Sequence, residues 1–172
     1  EARSRYELAV FLSRAGRHAE AAEDLRRVLQ VNRSHPGAHR TLGRALAETG
    51  DLAQSERVLR EGIGLLPREA GLHKELGRTL RLGNRLGEAI SEYEAETRIA
   101  PGDAGTRFLL GDLYRLDNRP AEAAAQWEVA LNLDSRQDQV ARQLRDLYLT
   151  LGQAEDANRI AARFIAKPTH LR

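Results

Sequence analysis

Large apolar residues recur along this chain in pairs four apart, set among polar residues, and the pairs themselves recur. Leu8 and Leu12, Leu42 and Leu46, Leu76 and Leu80, Leu110 and Tyr114, Leu144 and Tyr148 are five such pairs, each beginning 34 residues after the last. Side chains at i and i+4 share one face of a helix, so each pair predicts an amphipathic helix. A second set joins a small residue to a residue four further on: Ala21 to Leu25, Ser55 to Leu59, Ala89 to Tyr93, Ala123 to Trp127, Ala157 to Ala161. That predicts a second helix in each period. Between the two stand Gly16, Gly50, Asn84, Asn118 and Gly152, the residue types that most readily take the left-handed conformation closing a helix, and so a turn is expected there. Pro67 and Pro101 mark the ends of second helices, while Pro36 falls where a first helical residue tolerates proline.

Five windows follow without insertion: 2–35, 36–69, 70–103, 104–137 and 138–171. Their eighth places hold Ala9, Gly43, Gly77, Gly111 and Arg145. Small residues there and at the twentieth place let two helix backbones approach closely beneath the larger side chains. A single helix pair cannot bury its apolar stripe alone, so the pairs are expected to stack into one all-α solenoid spanning residues 2–171.

The pattern resembles the tetratricopeptide repeat family, most closely in LGRTL with NRLGEAISEY and in LGDLY with NRPAEAAAQW and ALNLD. Arg5, His39, His73, Arg107 and Ala141 depart from it at the fourth place, where the family often has Trp. Arg145 departs at the eighth, and Gly62 and Glu96 stand where Ala is common. His39 and His73 are expected to pack in the Trp-like slot. The resemblance implies a superhelix whose first helices line a concave groove, with places 2, 5, 9 and 12 turned to a ligand. Those places offer Tyr6, Arg40, Arg44, Lys74, Arg78, Arg81, Phe108, Asp112, Arg115, Arg142 and Asp146. Guanidinium groups present paired planar donors that suit carboxylates, so one reading is a groove for an acidic peptide with Tyr6 and Phe108 as apolar anchors. The other is that these charges neutralise one another between helices, Arg78 with Asp112 in particular. The Lys and Asn clamp of chaperone-binding members and the Asn ladder of sugar-transferase members are both missing.

Composition narrows the function. The chain has 172 residues, no Cys and no Met, and 30% of its residues are charged, with a net charge of +2. Absence of Cys excludes disulfides and thiolate metal sites and leaves both cytoplasm and periplasm open. The pI of about 9.3 arises because 25 of the 27 basic residues are Arg. That bias accords with a GC-rich bacterial genome and is no nucleic-acid footprint. No apolar run is long enough for a membrane span. No nucleophile and base, paired carboxylates or ligand set converge in the sequence. His35 and His39 are four apart, but Pro36 puts His35 outside the helix, and Glu92, Glu94 and Glu96 read as a solvated face. The expected class is therefore a non-catalytic protein-binding scaffold without cofactor or metal. An RNA-binding helical repeat and the targeting arm of a larger enzyme are the alternatives. The opening at Glu1, without Met or a secretory signal, reads as a piece of a longer protein. Ile160, Phe164 and Ile165 should form an exposed apolar patch, which the next repeat would cover or which would serve self-association or docking.

Overall fold

The computed structural model describes residues 2–35 and 37–165. Pro36 and the end of the fifth window lie outside the described residues. Within them ten α-helices follow in pairs: α1 (Ala2–Arg14) and α2 (His18–Val31), α3 (Ala38–Glu48) and α4 (Leu52–Leu65), α5 (Leu72–Leu82) and α6 (Leu86–Ile99), α7 (Ala104–Leu116) and α8 (Pro120–Leu133), α9 (Asp138–Thr150) and α10 (Ala154–Ile160). A π-helical turn, Ala161–Ile165, continues α10. Among the described residues there is no strand.

All five turns within the pairs close in the same way. Gly16, Gly50, Asn84, Asn118 and Gly152 have φ of 77°, 86°, 58°, 57° and 73°, the left-handed region expected of them. The residue after each donates its N–H back to a carbonyl five residues earlier: Arg17 to Leu12, Asp51 to Leu46, Arg85 to Leu80, Arg119 to Tyr114 and Gln153 to Tyr148, all at 2.8–2.9 Å. This is the Schellman closure, which satisfies carbonyls that the helix end would otherwise leave unpaired.

The small residues play the part their spacing implied. A Cβ on Gly43 would lie 2.4 Å from Leu59, and one on Gly111 would lie 2.5 Å from Trp127. Leu59 and Trp127 therefore occupy the volume that a side chain at the eighth place would need. In the last repeat the arrangement inverts: Arg145 replaces the glycine, Ala161 replaces the large residue, and Arg145 turns to Asp146 at 2.7 Å. Leu42, Leu76, Leu110 and Leu144 are all buried, and each contributes about 1.5–3 kcal/mol by leaving water. Leu8, at the same place, is 50% exposed. Within each unit this face receives the second helix of the repeat before on α3, α5 and α9, as Ala22, Leu25 and Val28 of α2 cluster with Ala38, Leu42 and Ala45 of α3. No described second helix precedes Leu8.

By internal packing the chain divides into two compact units, Glu1–Ile99 and Ala100–Arg172. In the first, α2 packs on α3, α4 on α5, and α1, α3 and α5 lie side by side. The second has an aromatic core in which Trp127, Tyr148 and Phe164 cluster with Leu131, Leu144 and Ile160. That core corrects the expected terminal patch. Ile160 is 1% exposed and Phe164 is 7% exposed, with Ile165 packed against them, because α10 and the π-helical turn both pack on α9.

At the fourth place His39 is packed in the interior as expected and Ala141 is buried, whereas the other three residues form a polar clasp onto the residue 19 further on in the second helix. Arg5 donates to Asp24 at 3.1 Å, His73 Nδ1 lies 2.6 Å from Glu92, and Arg107 donates to Gln126 at 2.9 Å. His39 has its Nδ1 3.2 Å from the Val58 carbonyl and its Nε2 2.8 Å from the Arg33 carbonyl. Gly62 makes room for it, since a Cβ there would meet the His39 Cβ at 2.7 Å. Glu96 is likewise no solvated residue: it is buried, and its carboxylate accepts the Gly71 N–H at 2.7 Å and the Lys74 N–H at 3.3 Å. It thereby caps the positive N-terminus of α5.

Candidate functional site

In the first unit the predicted basic residues come from α3 and α5, which run side by side. Arg40 and Arg44 lie one helical turn apart on α3, as do Lys74 and Arg78 on α5. All four are half-buried, and Arg81 is exposed beyond them. They converge on a group the sequence reading passed over. Glu75, at 14% side-chain exposure, has Arg78 Nη1 3.7 Å from one carboxylate oxygen and Arg44 Nη1 3.9 Å from the other. Burial pushes its carboxyl above the usual carboxylate range, against the pull of Arg44, Arg78, Arg40 and Lys74.

The other partners of these cations are unequal. Arg78 also pairs closely with Glu48, whose carboxyl is held below its ordinary value chiefly by that hydrogen bond. Arg40 donates to the Ala70 carbonyl at 3.1 Å and lies against Gly71, whose positive φ of 92° begins the next repeat. Tyr6 holds the corresponding place one repeat earlier: its hydroxyl would sit 2.5 Å from a Cβ on Gly37, and its ring is 4.6 Å from that of His35. Tyr6 and Arg40 thus help close each repeat on the next. With Arg40, Arg44, Lys74 and Arg78 gathered about Glu48 and Glu75, the wall of this unit is rich in positive charge. The partial burial of Glu75, though not its cationic surroundings, was legible in retrospect. With Leu72, Leu76 and Thr79 this residue forms an i, i+3, i+4, i+7 stripe, which sets it at the edge of the buried face.

The predicted residues of the second unit build something else. Arg115, Gln143, Asp146, Leu147 and Thr150 border an opening of about 430 Å³ between α7 and α9, with Trp127 beneath it. Gln143 Oε1 is buried there without a hydrogen-bond partner among the described residues. Phe108 packs against the aromatic core with its ring 6.5 Å from Trp127, and its carbonyl accepts the indole N–H at 3.3 Å. Asp112 is half-buried, while Arg142 and Asp146 are exposed. Among the described residues no group of three or more His, Asp or Glu comes together as a metal site, and no helix is long and apolar enough to cross a membrane.

A family model described as tetratricopeptide repeat matches residues 12–76. That segment carries tetratricopeptide repeats. Among solved structures, MamA residues 41 to the end from Desulfovibrio magneticus RS-1 align with a TM-score of 0.76 at 21% identity, covering 95% of this chain and 93% of that one. PilF of Pseudomonas aeruginosa aligns with a TM-score of 0.82 at 21% identity, over 95% of this chain and 74% of that one. A thermophilic tetratricopeptide protein of Thermus thermophilus, TTC0263, gives 0.70 at 22% identity over 99% and 93%. Likeness at this level of identity is likeness of fold. No curated protein matches the chain in sequence. The left-handed turn and the small-against-large contact recur past the matched segment, at the same places in α5 to α8.

Proposed function

We propose that this tetratricopeptide chain is a non-catalytic interaction scaffold, and that the wall formed by α3 and α5 captures an acidic segment of a partner protein. The observation that carries the reading is the convergence of Arg40, Arg44, Lys74 and Arg78 around Glu75. Four cations concentrated on a partly desolvated wall attract carboxylates more strongly than the same charges scattered over an open surface. Arginine further favours the planar two-point contact that a carboxylate accepts. The fold supports the scaffold part of the reading, since tandem helix pairs present an extended surface with most of their apolar residues already consumed by packing.

The test is titration of a capped peptide of alternating Glu and Ser against the wild type and against Arg44→Glu with Arg78→Glu, at low and moderate salt. Capture by the wild type that weakens with salt and is lost in the double reversal is the expected result. Equal capture by both proteins would remove the basic wall from the reading. A short single-stranded RNA in the same titration addresses the remaining class: salt-sensitive binding of RNA in preference to the peptide would move the function there.

A further inference from the structure

The basic wall already contains an anion. Glu75 sits where four cations meet, and it is almost closed off from solvent. Yet the nearest guanidinium nitrogens stop at 3.7 and 3.9 Å, beyond the 2.7–2.9 Å of a charge-assisted hydrogen bond. The carboxylate is therefore desolvated without being fully repaid in hydrogen bonds, and burial raises its proton affinity. The cations that surround it remain partly open, with side-chain exposures of 40% for Arg44 and 31% for Arg78. Arg44 can turn outward to a second carboxylate, and Arg78 can take one in exchange for Glu48.

We propose that Glu75 is the wall's own counter-ion, and that it takes up a proton when an acidic ligand arrives, so that ligand capture and protonation of Glu75 are one coupled event. This rests on the acidic-ligand reading above. When a ligand carboxylate reaches Arg44 and Arg78, a second negative charge enters a site that already holds one. Two carboxylates sharing a site cannot both stay ionised at low cost, and the buried one is the one that accepts the proton. The proton comes from solvent and returns to it when the ligand leaves. Affinity for an acidic segment then rises as the solution is acidified, for as long as the ligand itself remains ionised.

The groups facing Glu75 are Arg40 and Arg44 on α3, Lys74 and Arg78 on α5, and the Tyr93 phenol on α6, which burial pushes up to about 12. Glu48 acts through Arg78, and His18 of α2 lies close enough to act on Glu48. His73 is turned to Glu92 and His39 to two backbone carbonyls. The histidines are common to wild type and Glu75→Gln, so a pH effect that differs between the two proteins belongs to Glu75.

The experiment is calorimetric titration of the capped Glu–Ser peptide into the wild type and Glu75→Gln, from pH 5.5 to 8, in pairs of buffers with different ionisation enthalpies. In the wild type, a proton is taken up on binding and affinity rises toward pH 5.5. In Glu75→Gln, which imitates the protonated carboxyl, no such proton is taken up and affinity at pH 7.5 is about tenfold higher, because one like charge has been removed from the site. Binding by Glu75→Gln where the wild type binds too weakly to measure supports the proposal in its strongest form. Equal or weaker binding by Glu75→Gln, with no difference in proton uptake, overturns it and leaves Glu75 as an organiser of the arginines. If that result comes with capture that Arg44→Glu abolishes, the acidic-ligand reading survives. Absence of binding by either protein overturns both.

Discussion

The two compact units use one register and different chemistry. At the eighth and twenty-fourth places the first unit sets Gly43 beneath Leu59 and Gly77 beneath Tyr93, whereas the second sets Gly111 beneath Trp127. The first unit buries polar groups and satisfies them: His39 between two carbonyls, Glu96 on the N-terminus of α5, and the Ser55 hydroxyl against the Gly43 carbonyl and the Thr79 hydroxyl. The second relies on Trp127, Tyr148 and Phe164. Their outer walls differ in the same sense, one a set of cations around a carboxylate, the other a mixed-charge opening floored by an indole. The repeat thus dictates where volume must be large or small and leaves open how that volume is made.

The most severe break in this comparison is Trp127→Ala, which empties the centre of the second unit. It should destabilise by about 3–5 kcal/mol, read by far-ultraviolet circular dichroism in urea. Glu96→Leu strips the first unit of a polar anchor and leaves the Gly71 and Lys74 N–H groups buried without acceptors. A loss of about 2–3 kcal/mol is expected, and a loss under a few tenths would show that the cap is dispensable. Gly43→Ala forces a methyl against Leu59 and should cost about 1–2 kcal/mol in the same assay. Asn118→Ala removes a residue tolerant of the left-handed turn, for about 1 kcal/mol.

The smallest effect is one of sign. Glu75 has its carboxyl raised above the ordinary 4.5, so its charge costs folding stability above its folded pKa, and that cost vanishes below the unfolded one. Glu75→Gln should therefore raise the melting temperature at pH 7.5, with the gain shrinking as the pH falls toward 4. Glu56 behaves oppositely. Its carboxyl is held down first by the hydrogen bond from Arg85, so its contribution is present at neutral pH and lost on acidification.

The pairs of helices, their turns and the contacts beneath the glycines were legible because they repeat, and repetition exposes a place that must be small or left-handed. The exceptions are residues whose role depends on a neighbour in space. Leu8 reads like its four counterparts and is exposed because no described second helix precedes it. Ile160 and Phe164 read as a terminal face and are buried because they pack into the core around Trp127, Leu144 and Tyr148. Glu96 reads as a surface carboxylate and Glu75 passes unremarked, since nothing in their local spacing reveals the helix end above one or the cations around the other. The candidate wall was legible as a row of arginines, but the anion at its centre was not.

The matched contacts have a consequence for how such a chain can change. Gly43 with Leu59, Gly62 with His39 and Gly111 with Trp127 each lie inside a single 34-residue window, as does the exchange of Arg145 with Ala161. A substitution at one of these sites finds its compensating partner in the same copy and seldom in an adjacent one. Whole copies can accordingly be gained, lost or shuffled with their internal fit intact, while point changes drift in coupled pairs.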